Sequence, residues 1–123
     1  MWSPFLKKPT DLRGIFPYRI HVNHPEAKIL FQDQLVKCIK HLSRETSSII
    51  VLCIGTDRST GDSLGPLVGS KLAVASLPQV QVYGTLEEPV HAVNLKETLS
   101  LIDSRPDRPA ILAIDACLGK SEN

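Results

Sequence analysis

No stretch of the 123-residue sequence approaches the ~20 apolar residues that a helix needs to cross a bilayer. Trp2, Phe5 and Phe16 fall within residues 1–25, but polar residues and Pro4, Pro9, Pro17 and Pro25 interrupt them, so no signal-peptide core forms. The expected location is the cytoplasm. An excess of charge is missing too. Fourteen basic side chains face 13 acidic ones, which leaves no electrostatic footprint for nucleic acid or an anionic membrane. Cys38, Cys53 and Cys117 are an odd set with no close pair, which argues against a disulfide scaffold or a Cys-rich zinc site. They read as small, semi-buried thiols in a reducing compartment. Repeats and low-complexity tracts are absent.

What is present reads as one soluble α/β domain. Residues 1–25 show no sustained period and form an irregular lead-in, and the domain runs over 26–123. Ala27, Phe31, Leu35, Ile39 and Leu42 recur every three or four residues, which predicts an amphipathic helix with Pro25 near its first turn. The continuous apolar run at 49–54 predicts a strand buried on both faces, the signature of a parallel sheet. A loop rich in Gly, Ser and Thr follows. Residues 62–76 should be helical, carrying Leu64, Leu67, Val68, Leu72 and Val74, and Pro78 closes them. A second strand at 80–84, a helix at 93–102 and a third strand at 110–115 complete a helix followed by βαβαβ. That order predicts right-handed crossovers, a mostly parallel sheet and helices on both of its faces, a three-layer α/β fold. Three strands leave one edge uncovered. We therefore expect the N-terminal part of a longer domain, with a homo-oligomeric or swapped partner as the other way to cover that edge.

Ligands of open α/β sheets bind at the carboxyl ends of the strands. Residues 55–65, 84–94 and 115–119 meet that condition, and they gather Asp57, Arg58, Asp62, Glu87, Glu88, His91, Asn94 and Asp115. The first loop lacks the Gly-Lys-Ser/Thr ending of a Walker A motif and the Gly-x-Gly-x-x-Gly spacing, and Asp57 and Asp62 would repel a phosphate. Asp62 reads either as a helix cap or as a site acid. Asp115 ends an apolar strand, where an unpaired charge is expensive, so it reads as a loop-ordering group or as half of a functional pair. Two such carboxylates could share a proton and activate water, or hold a divalent metal with His91. His91 alone reads as a capping residue. A nucleophilic cysteine is disfavoured because Cys53 points into a core. Arg58, Arg105 and Arg108 could engage acidic partners, and Glu87 with Glu88 reads as a solvated turn.

Three blocks, at 53–69, 83–95 and 113–119, carry a resemblance. They include Asp57-Arg58-Ser59-Thr60-Gly61-Asp62, Pro89-Val90-His91-Ala92-Val93-Asn94-Leu95 and Ile114-Asp115-Ala116. Together they resemble the YyaC-type sporulation proteins, which are related to the germination protease of spore formers and distantly to hydrogenase maturation peptidases. The resemblance implies a phosphorylase/hydrolase-like fold of the maturation-peptidase kind. It also implies that Asp62 and Asp115 stand at the positions of the protease's two catalytic aspartates. Asp57, Arg58, His91 and Asn94 are then candidates for binding substrate. In the maturation peptidases the corresponding acids help bind nickel with a later histidine, whereas His91 belongs to a different segment. This sequence has Thr60-Gly61-Asp62 where the protease has Thr-Pro-Asp. The reading that follows is a peptidase-like hydrolase of sporulation acting on small spore proteins, with no resident cofactor. The alternatives are a non-catalytic sporulation protein that binds a peptide or partner, and a metal-binding maturation-type peptidase.

Overall fold

A computed structural model describes residues 18–58 and 60–116. Its elements run α1 (Ala27–Leu42), β1 (Ile49–Cys53), a 3-10 turn (Thr60–Asp62), α2 (Leu64–Ala75), β2 (Val80–Tyr83), α3 (Leu95–Asp103) and β3 (Ala110–Ile114). Two compact units result, one ending at Glu45 and the other beginning at Thr46. Residues 1–17, Ser59 and residues 117–123, which include Cys117, lie outside the described residues.

In the first unit, α1 begins two residues after Pro25 and stops at Ser43, whose N–H and hydroxyl both donate to the Ile39 carbonyl (2.9 and 2.8 Å). Cys38 is buried, and Leu35, Ile39 and Leu42 are half-buried. Phe31, expected on the same inward stripe, is exposed. It lies two turns N-terminal of Cys38, and Ala27 before it is half-buried, so the stripe is interrupted at Phe31.

The second unit is built on β1. All five of its residues are buried, as the unbroken apolar run requires. Parallel β2 and β3 flank it in the order β2-β1-β3, with Ile49 level with Val80 on one side and Ala110 on the other. One crossover carries the chain from β1 out to β2, and the next returns it across β1 to β3. Right-handed connections in opposite directions place α2 and α3 on opposite faces. The side chains agree. Ile50 and Leu52 pack with Val90, Ile102, Leu95 and Leu99 on the α3 face, while Cys53 meets α2 at Gly69 on the other. The expected three-layer α/β arrangement is therefore present in this unit.

Small residues form the buried face of α2. Gly65, Pro66 and Gly69 are its buried residues, while Leu64, Leu67 and Val74 are exposed. A side chain at Gly65 would strike the Ile54 backbone, and one at Gly69 would strike the Gly84 carbonyl. The helix lies so close to the sheet at Gly65 and Gly69 that only glycine fits, while Leu64 and Leu67 turn outward.

The opposite, N-terminal end of the sheet is held by polar contacts. Arg105 grips Asp107 with two parallel hydrogen bonds (3.0 and 2.7 Å) and donates to Gln81 of β2 (2.6 Å). Ser48 donates to the same Asp107 carboxylate at 2.8 Å. Arg105 is thus paired within the fold instead of waiting for an acidic partner. A shallow depression of about 310 Å³, lined by Ser47, Ser48, Gln79, Val80 and Gln81, lies on this rim.

The packing is testable at the core and at this polar end. Ile50 is fully buried at the centre of the core cluster, so Ile50→Ala should destabilise the chain by about 2–5 kcal/mol, read in urea as a lower midpoint at unchanged slope. The Arg105 guanidinium, and then the Ser48 hydroxyl, hold the Asp107 carboxyl below its ordinary value of 3.8. A depressed carboxyl contributes stability above its unfolded value and loses it as pH falls through the folded one. Wild-type melting temperature should therefore drop below about pH 4, and Asp107→Asn should flatten part of that decline. Parallel thermal melts of the two proteins across pH 2–6 check it.

Candidate functional site

Three consecutive backbone N–H groups at the end of β1 organise the candidate residues. Ile54 donates to the Ile114 carbonyl (2.8 Å), Gly55 to Val90 (2.8 Å) and Thr56 to Asp62 (3.0 Å). Ile114 immediately precedes Asp115, and Val90 immediately precedes His91. One short segment therefore collects Asp62, His91 and Asp115 around itself.

The segment can do this because residue 55 is glycine. Its φ is +152°, and a side chain there would strike the Asp62 carbonyl and the Pro66 ring. Gly84, at the end of β2, has φ +99° and lies against the Cys53 carbonyl in the same way. Ile54 makes an isolated parallel bridge with Val90, which puts His91 level with Gly55. Extending the Cys53–Ile114 register by one residue puts Asp115 level with Ile54. His91 and Asp115 thus stand on either side of the β1 terminus, with Cα atoms about two strand spacings, ~10 Å, apart. Alternation along β3 sends Asp115 to the side of Ile111, the α3 face, while Asp62 packs its main chain on the α2 side. The two acids border the end of β1 from opposite layers. In the 2-1-3 strand order, the crevice between β1 and β3 is the switch point at which open α/β sheets bind ligands.

Each candidate can be placed. Asp62 closes the 3-10 turn and stands one residue before Ser63, the N-cap of α2, so it is not that helix's cap. Asp62 and Asp115 are both exposed. Asp57 and Arg58 lie in the exposed turn after β1, where the Arg58 N–H donates to the Thr56 hydroxyl (3.3 Å). Glu87 and Glu88 form an exposed turn closed by Thr85, whose N–H donates to the Glu88 carbonyl (3.1 Å) and whose hydroxyl accepts the Glu88 N–H (3.0 Å). Ser70 of α2 accepts the Leu86 N–H at 2.9 Å and ties this turn to the helix. Sequence reasoning missed Ser70 and Thr85, because single hydroxyls, one in a helix and one in a loop, carry no spacing signal.

His91 and Asn94 are half-buried and bonded to each other. The His91 N–H donates to Asn94 Oδ1 (2.8 Å), and Asn94 Nδ2 donates to the Pro89 carbonyl (3.0 Å). Nδ1 of His91 accepts the Val93 N–H at 3.3 Å. A group of three or more His, Cys, Asp or Glu side chains able to hold a metal ion is absent among the described residues. Asp62, His91 and Asp115 are therefore not grouped as ligands of a shared metal ion. Burial pushes the Cys53 thiol up, away from the thiolate that a nucleophile needs.

Residues 19–123 match a family model described as "Protein of unknown function (DUF1256)". The chain belongs to this family. A relative named "Uncharacterized protein YyaC", from Bacillus subtilis (strain 168), is 47% identical over 100 residues, 81% of this chain and 49% of the relative. The chain thus spans about half the length of the curated relative it matches. No solved structure matches it. The DUF1256 match takes in every candidate residue from Asp57 to Asp115, and neither match carries an activity. Among the described residues no helix of this DUF1256 chain is long and apolar enough to cross a membrane.

The dependence of the site on residue 55 is testable. Gly55→Ala combines an unfavourable φ with a clash against the Asp62 carbonyl and Pro66, and should cost about 1–3 kcal/mol. In this variant amide hydrogen exchange should quicken at residues 54–56 more than within β1.

Proposed function

We propose that this chain carries the acid pair of a peptidase-like hydrolase of sporulation, acting on small spore proteins in the cytoplasm of a spore-forming bacterium. The observation that supports the reading is the approach of Asp62 and Asp115 to the C-terminal end of β1, where the Thr56 N–H holds the Asp62 carbonyl and the Ile54 N–H holds the carbonyl of Ile114, next to Asp115. Amide hydrolysis needs a group to take a proton from water and a second to steady the charge that develops. Asp62 is assigned the first role and Asp115 the second, and a coupled pair would exchange these roles readily. Asp57, Arg58, His91 and Asn94 line the same rim and would contact the peptide. The resemblance of Gly61-Asp62-Ser63-Leu64-Gly65-Pro66 and Ile114-Asp115-Ala116 to the protease segments supports the same assignment.

The test is cleavage of purified small acid-soluble spore proteins. Asp62→Asn and Asp115→Asn should each lower the rate by about 10²–10⁴, the usual contribution of a positioned acid or base, with melting temperature unchanged. Unchanged cleavage in both variants sinks the reading. Peptide binding that survives both substitutions would point instead to a non-catalytic partner-binding protein.

A further inference from the structure

We draw no further inference here: the strongest candidate, the outward apolar face of α2 at Leu64, Leu67 and Val74, is exposed beside the turn that Ser70 ties to the helix at Leu86, and nothing in the structure shows what covers it.

Discussion

Three successive N–H groups, at Ile54, Gly55 and Thr56, hold the C-terminal end of this fold together. Each reaches a different segment: the end of β3, the bridge at Val90 and the 3-10 turn that closes at Asp62. Where β1 ends, its main-chain donors would otherwise be left without ladder partners, and satisfying them brings three loops together. Placement of the candidate residues is thus a by-product of backbone hydrogen bonding. The side chains themselves need contribute little to their own positioning. Gly55 is the permissive residue, since only a residue without Cβ can take this φ under the Asp62 carbonyl.

The two ends of the sheet are managed in different ways. At the N-terminal end, Arg105, Asp107, Ser48 and Gln81 make a closed polar network across β1, β2 and the loop before β3. Charged groups there are used on one another. At the C-terminal end, contacts are mostly main-chain to main-chain, and the carboxylates of Asp62 and Asp115 face water. A rigid strand with loops positioned on it is the usual division between stability and chemistry. The fully buried β1 supplies the rigidity, and its two parallel neighbours fix the level at which each loop leaves the sheet.

Much of this is legible in the residues. The β-branched run at 49–53 announces a central parallel strand, and the helix–βαβαβ order gives both the layers and the end of the sheet at which ligands bind. The strand-end rule also picks out Asp62, His91 and Asp115 before any coordinates. What escapes is whatever depends on close approach. The run holding Leu64, Leu67, Val68, Leu72 and Val74 announces a helix without saying which side it buries, and Gly65 and Gly69 decide that because the helix backbone lies against Ile54 and Gly84. Phe31 escapes for a related reason, since periodicity defines a stripe without saying how much of its length is covered. Asn94 escapes because an Asn before a helix looks the same whether its amide turns forward as a cap or backward as a clamp. Only the bonds to Pro89 and His91 separate the two.

The exposure of Asp62 and Asp115 bears on how the proposed chemistry would work. Electrostatic groups are worth far more in a water-excluded site than in bulk solvent. Among the described residues, the rim that carries the acids is built from exposed turns at Asp57, Arg58, Glu87 and Glu88, and from half-buried His91 and Asn94. On the hydrolase reading, the cover over the acids has to arrive with the substrate. A polypeptide laid across the end of β1 between the α2-side and α3-side acids would displace water from both. Pre-positioning then matters most for the groups that must meet that polypeptide without moving. The main chain around His91 is held in this way, by Asn94 on one side and by Gly55 through Val90 on the other. On that reading the exposed carboxylates of Asp62 and Asp115 would close on the peptide, while the Thr56 N–H holds the Asp62 carbonyl in place.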